Sequence, residues 1–149
     1  MVIARKAVEE DYLAMSELIE DFFKENKFVS LDIELNAESS SELSKVLATK
    51  HIMLVLTQGK EMIGGIGGFV IPSLMNTNFK IFQEVFFYIK KGFRKYSKFL
   101  LDELENECRR RKLNSIIMAH PADENLDKMD KFYSARGYKV LEKHYSKRI

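Results

Sequence analysis

Glu84 is the carboxylate whose neighbours most favour chemistry. It lies in the run Phe79 to Ile89, the most aromatic stretch of the chain, where Phe, Tyr, Val and Ile dominate. A carboxylate among aromatic side chains loses solvation for its charged form. Its pKa therefore rises, and it becomes a fitting proton acceptor near neutral pH. Alternation along a strand puts Glu84 on the same side as Phe82, Phe86 and Tyr88, which argues against a carboxylate that merely faces water. Tyr133, beside Phe132, offers either a packed helix aromatic or a weak acid with an ordinary pKa of about 10. Lys90, Lys91, Arg94, Lys95 and Lys98 crowd into a short segment. Cations at that density suit phosphate groups, with a solvated charged loop as the plain alternative.

The remaining reactive residue types carry less. His120 precedes Pro121 at the end of a strand-like run, where α/β proteins tend to bind ligands. His51 and His144 have no partners at metal-ligand spacing, so no metal site is expected. Cys108 is the single cysteine and forms no internal disulfide, which fits a reducing compartment. Gly64-Gly65-Ile66-Gly67-Gly68 sits inside a strand pattern rather than between a strand and a helix. These glycines read as a bulge or as room for a neighbour, an acceptor included, and not as a phosphate cradle.

The elements that must position these residues follow from periodicity. Val2 to Ala7 reads as a strand, and Tyr12, Met15, Leu18 and Phe22 recur at helical spacing behind an acidic first turn. Leu43, Val46 and Leu47 mark a second, shorter helix, with Ser39-Ser40-Ser41 as an interruption before it. Ile52 to Thr57 and Met62 to Ile71 flank Gln58-Gly59-Lys60-Glu61, a hairpin signal closed by Pro72. Phe79 to Ile89 is a long central strand. The basic segment then leads into a helix with Leu100, Leu101, Leu104 and Cys108 on one face and Arg109 to Lys112 in its last turn. Asn114 to Ala119 makes a strand, Asn125 to Arg136 a helix ended by Gly137, and Tyr138 to Tyr145 a terminal strand. Strands separated by helices, together with a hairpin, give an α/β domain with a mixed sheet.

Composition bounds the function. A chain of 149 residues with 46% hydrophobic content supports one core, so residues 1–149 form a single domain. The 24 Lys and Arg against 22 Asp and Glu leave a net charge of only +2, without the basic excess of a general nucleic-acid binder. No apolar run approaches the roughly eighteen residues of a membrane span, so no membrane partner is expected and a cytoplasmic protein is.

Taken end to end, the order of elements resembles the GNAT family of acyl-CoA N-acyltransferases. Phe132-Tyr133-Ser134-Ala135-Arg136-Gly137-Tyr138 is similar to that family's F-Y-x-x-x-G-F/Y segment, Val2 to Asp11 to its first strand and acidic helix start, and Gln83-Glu84-Val85-Phe86-Phe87 to the fourth strand of members with a glutamate base. The loop that holds the coenzyme pyrophosphate in the family, Q/R-x-x-G-x-G/A, has no such glycines here. With Arg94 as its leading residue, Ser97 and Phe99 fall on the two small positions, and Phe99 would obstruct the backbone's approach to phosphate. Aligning the following helix without gaps puts Ser97 on the last small position of a shortened loop, and this register is preferred.

The resemblance implies a GNAT-like mixed, mostly antiparallel sheet of about six to seven strands flanked by about four helices. It implies acetyl-CoA as co-substrate, without metal, and direct transfer of the acyl group to a primary amine on a metabolite, peptide or protein. Glu84 would be the general base and Tyr133 the general acid toward the departing thiolate. Phe87, Tyr88 and Ile89 would bond the pantetheine arm through their backbone, and Arg94, Lys95, Tyr96, Ser97 and Lys98 would hold the pyrophosphate at a helix N-terminus. Asn125 would contact the coenzyme amides or, as the favoured reading, cap its helix. An edge strand at Tyr138 to Tyr145 would let two copies pair as a homodimer. The alternative is a non-catalytic GNAT-like module for ligand sensing or protein interaction, which the missing glycines favour.

Overall fold

The computed structural model describes residues 1–26 and 32–149. β1 (Val2–Lys6) leads through a 3-10 turn (Glu9–Asp11) into α1 (Tyr12–Glu25), and α2 (Ala37–Lys50) follows. β2 (Ile52–Gln58) and β3 (Glu61–Pro72) form the expected hairpin, and β4 (Lys80–Ile89) is the long strand. A second 3-10 turn (Arg94–Tyr96) runs into α3 (Ser97–Arg110), then come β5 (Ser115–Ile117) and α4 (Leu126–Ala135). The five strands make one sheet in chain order, antiparallel except where β5 runs parallel to β4. Among the described residues it is a mixed, mostly antiparallel sheet of five strands, fewer than expected.

Each face of the sheet carries its own core. Ile52, Leu54, Leu56, Ile63, Ile66 and Phe82 pack against Leu100, Leu101, Leu104 and Cys108 of α3. On the other face Met53, Val55, Phe86 and Tyr88 meet Met15, Leu18 and Ile19 of α1 and Leu47 of α2. β2 alternates between the two cores because both its faces are covered, which is why it reads as a continuous apolar run. α2 is no shorter than α1, each having 14 residues, and the serines do not interrupt it. Asn36 caps it by accepting the Ser39 N–H at 2.9 Å, Ser40 and Ser44 turn their hydroxyls onto carbonyls four residues back, and Ser44 meets Ser16 of α1 in the interhelical contact. Part of the acceptor-side stretch 24 to 50, residues 27–31, lies outside the described residues.

A β-bulge in β4 changes which side chains share a face. Gly68 pairs with Glu84 and Gly67 with Phe86, so Val85 is the extra residue and the alternation inverts across it. Phe82 therefore belongs to the α3 core and Phe86 and Tyr88 to the α1 core. The expected shared side of Glu84 with Phe86 and Tyr88 is corrected accordingly, because strict period-two counting fails across an extra residue. The bulge needs its glycine. A Cβ on Gly68 would lie 2.2 Å from the Gln83 carbonyl oxygen and 2.6 Å from the Phe82 ring. A Cβ on Gly67 would strike Met53, Leu47 and Phe86. The glycine run thus admits the chain's own packing rather than an acceptor. Gly68→Ala is expected to cost about 2 to 3 kcal/mol, as overpacking against backbone does. A urea unfolding midpoint equal to wild type would contradict this bulge.

The terminal strand expected at Tyr138 to Tyr145 is absent. Gly137 ends α4 in the left-handed region at φ +87° and Tyr138 returns an N–H to the Tyr133 carbonyl at 3.0 Å, but residues 138–149 form no strand. The sequence explains the failure. One alternating face of 138–145 would carry Tyr138, Val140, Glu142 and His144, and the other Lys139, Leu141, Lys143 and Tyr145. Either choice buries charge. Val140, Leu141 and Tyr145 are exposed instead, and pairing of two copies through an edge strand has no strand here to rest on.

α3 is fastened to β1 by a buried carboxylate. Glu107 is 0% exposed and accepts Lys6 Nζ at 2.9 Å, Arg111 Nε at 2.8 Å and Arg110 NH2 at 2.8 Å. Burial alone would raise its pKa, but the bonds from Lys6, Arg111 and Arg110 outweigh burial and hold it down at about 2. The two arginines also complement the helix C-terminus.

Candidate functional site

The site begins where β4 and β5 part. Their parallel pairing covers only Ile81 to Gln83 against Ser115 to Ile117. β5 ends at Ile117, and the chain then turns away through Pro121 to α4. Among the described residues, the outer edge of β4 has no strand partner past Gln83. Glu84 stands at this fork. Its side chain bridges the widening gap, with Oε2 accepting the Ala119 N–H at 3.1 Å, and the residue is only 8% exposed. Burial raises its pKa to about 8, against a smaller lowering by the Ala119 bond. A carboxyl tuned to that value changes charge near neutral pH, which a solvated strand carboxylate does not.

α4 brings Tyr133 to the same fork. Its ring packs edge-on against Phe132 at 5.3 Å and Tyr138 at 5.4 Å. Burial first, and the charge of Glu84 second, raise the phenol's pKa above its ordinary value. The charge of Glu84 thus bears on a phenol 49 positions further along the chain (133 less 84). The phenol stays protonated throughout the range in which Glu84 titrates.

Phe87, Tyr88 and Ile89 continue β4 beyond the fork, paired on one edge with Ile66, Gly65 and Gly64 of β3. The Tyr88 side chain has a role of its own. It points to the α1 side and donates to Glu25 Oε1 at 3.0 Å, while Arg94 NH2 reaches Glu25 Oε2 at 3.1 Å and Arg94 Nε the Ile89 carbonyl at 3.4 Å. Burial, then the Glu25 bond and charge, push Tyr88 up to about 12. Arg94 is therefore committed to the end of α1 and to β4 rather than turned freely toward the helix N-terminus. Glu25 was invisible from the sequence, because its contact with Arg94 spans 69 residues.

The loop before α3 is shaped without the family's glycine pattern. Gly92 takes φ +86°, the Phe93 N–H closes on the Lys90 carbonyl at 3.1 Å, and Phe93 and Tyr96 pack onto the α3-side core. Ser97 opens α3, and Lys95 and Lys98 project from the exposed side. Lys90 pairs with Glu61 at 3.6 Å. Asn125 occupies the N-cap position of α4 but its side chain makes no capping bond, so the favoured capping reading is corrected. Asp123 Oδ1 instead takes the Asn125 N–H at 2.8 Å and His120 Nε2 at 3.1 Å. Among the described residues the Asn125 side-chain amide has no hydrogen-bond partner, and Asp123 is a residue that no sequence pattern singled out. Among the described residues no three His, Cys, Asp or Glu side chains come together as a metal site would need, and none of their helices is long and apolar enough to cross a membrane.

No protein-family model matches the sequence, and no curated protein sequence matches it. Solved structures do. An aminoglycoside acetyltransferase from an uncultured soil metagenomic sample is 13% identical with a TM-score of 0.75, over 100% of this chain and 99% of that one. A ribosomal-protein-alanine N-acetyltransferase from Brucella melitensis biovar Abortus is 14% identical with a TM-score of 0.73, over 100% and 99%. A transcriptional regulator from Bacillus halodurans is 16% identical with a TM-score of 0.77, over 100% of both chains. At these identities the likeness is one of architecture, and this chain has the fold shared by these solved structures.

Proposed function

We propose that the chain is an N-acyltransferase that moves an acetyl group from a coenzyme A thioester directly to a primary amine. One observation carries the reading: a buried carboxylate with a pKa raised to about 8 spans the fork between β4 and β5, and its charge bears on the half-buried Tyr133 phenol of α4. Amide formation from a thioester needs an amine freed of its proton and a donor for the departing sulfur. Glu84 at about 8 stands within about two units of an alkylammonium, close enough to take its proton, directly or through water. Tyr133, held protonated, donates a hydrogen bond toward the sulfur, where negative charge develops.

Acetyl-CoA supplies the activated acyl group. The residues fit it in part. The unpartnered edge of β4 at Phe87 to Ile89 offers backbone groups to the pantetheine arm, and Lys95, Ser97 and Lys98 surround the start of α3. Arg94 contributes once it leaves Glu25, and an exposed ion pair of this kind holds by no more than about 1 kcal/mol. The second reading, a non-catalytic module, draws on that same Arg94 and Glu25 pair and on the glycine-poor loop.

Calorimetric titration with acetyl-CoA and with free coenzyme A separates the two. Micromolar binding, weakened in Arg94→Ala, is the expected result and leads to a screen of amine acceptors. Absence of heat at millimolar ligand would leave the module.

A further inference from the structure

The start of α3 carries an aromatic surface that neither the core nor the proposed chemistry uses. Phe99 is 42% exposed and lies against Tyr96 with ring centroids 5.9 Å apart and planes inclined by 22°, a stacked pair. Tyr96 is anchored from below in the α3-side core, so the pair is held in place. Lys95 Nζ lies 5.1 Å from the centre of the Tyr96 ring and Lys98 Nζ 5.4 Å from that of Phe99. Neither lysine pairs with a carboxylate among the described residues. Here is a rigid aromatic pair with two uncommitted cations attached, one turn from the loop where the acyl donor's phosphates are expected.

On the acyltransferase reading above, we infer that the Tyr96–Phe99 pair is the platform for the adenine ring of the acyl donor, with Lys95 and Lys98 on its ribose 3′-phosphate and pyrophosphate. A purine has an extended π-face, and stacking on an aromatic side chain holds a base more strongly than an exposed aromatic face holds a lysine ammonium. The base takes the ring. The displaced ammonium then gains a phosphate, a better partner than the ring it leaves. Phe99, which in one alignment obstructs the helix N-terminus, turns its side chain onto Tyr96 and becomes a contact for the nucleotide. A nucleotide grip on side chains supplies what the missing glycines do not.

The test is calorimetric titration of wild type, Phe99→Ala, Phe99→Tyr and Lys98→Ala with acetyl-CoA, with adenosine 3′,5′-bisphosphate and with S-acetylpantetheine, which lacks the nucleotide. Phe99→Ala should weaken acetyl-CoA and the bisphosphate by about tenfold, the scale of one lost base stack, while S-acetylpantetheine binds as to wild type. Phe99→Tyr should restore both, and Lys98→Ala should weaken the bisphosphate with a steeper loss at low salt. Equal affinity of wild type and Phe99→Ala for acetyl-CoA overturns the platform and leaves the acyltransferase reading standing. Failure of wild type to bind either acetyl-CoA or the bisphosphate overturns both. Binding of the bisphosphate without acetyl-CoA keeps the platform as an adenine-nucleotide site and removes the acyl donor.

Discussion

Glu84→Gln should lower turnover by about a hundredfold to ten-thousandfold, the usual contribution of a positioned general base. The substitution is nearly isosteric, and the glutamine oxygen can still accept the Ala119 N–H that Oε2 now accepts at 3.1 Å. What disappears is the ability to take a proton. A steady-state assay with a competent amine should therefore show kcat falling while acetyl-CoA affinity stays the same. The pH profile is a second signature. With its pKa raised to about 8, wild-type Glu84 is mostly protonated below that pH and serves as a base only above it, so activity should climb through about pH 8. The variant's residual rate should lack that limb. A Glu84→Gln protein with wild-type kcat would remove this residue from the mechanism.

The same shift has a stability consequence of opposite sense. In the folded chain Glu84 keeps its proton up to about pH 8, whereas in the unfolded chain it ionises at 4.5. Between these values the folded state binds more protons, so stability falls as pH rises, by up to about 1.4 kcal/mol per pH unit for a group so fully buried. Glu84→Gln should relieve that loss above pH 8 while lowering turnover. A site that gains stability on losing its ionisable group is holding a strained charge for use.

The two cores, the hairpin and the helix faces were legible because they follow from periodicity, and Phe132 to Tyr138 was legible because a helix stopped by Gly137 leaves a local pattern. Glu84 stood out because one carboxylate in an aromatic strand has few structural reasons to be there. Three things escaped. The bulge at Val85 depends on Gly68 lying against the Gln83 backbone, a contact between strands that no single-strand pattern displays. The pairing of Arg94 with Glu25 joins a helix end to a loop across the fold, and the cation count of residues 90 to 98 gave no hint of it. The segment after Tyr138 carries apolar residues but not on one face, and reading it as a strand followed the resemblance further than the alternation allowed.

Glu107→Gln is expected to destabilise the fold by about 2 to 4 kcal/mol, between the value of charged hydrogen bonds and the cost of breaking a buried ion pair. The carboxylate is fully buried, yet Lys6, Arg110 and Arg111 are 60%, 54% and 37% exposed along their side chains. These cations can turn to water, so the loss falls mainly on the glutamine, whose amide hydrogens would face three positive groups. Acid should separate this effect from simple packing. Glu107 titrates near 2 in the folded chain and at 4.5 when unfolded, so its contribution is complete above pH 4.5 and disappears as pH falls toward 2. Chemical unfolding at a series of pH values should show wild type losing stability across that window and converging on a variant whose own curve is flatter. Because the cluster joins α3 to β1, far in the fold from the fork at Glu84, acyl-donor affinity should be unchanged at temperatures where both proteins are folded. Equal stability of the two proteins at pH 7 would mean that the ion cluster contributes nothing beyond its own desolvation, and α3 would then be held to the sheet by its apolar face of Leu100, Leu101, Leu104 and Cys108.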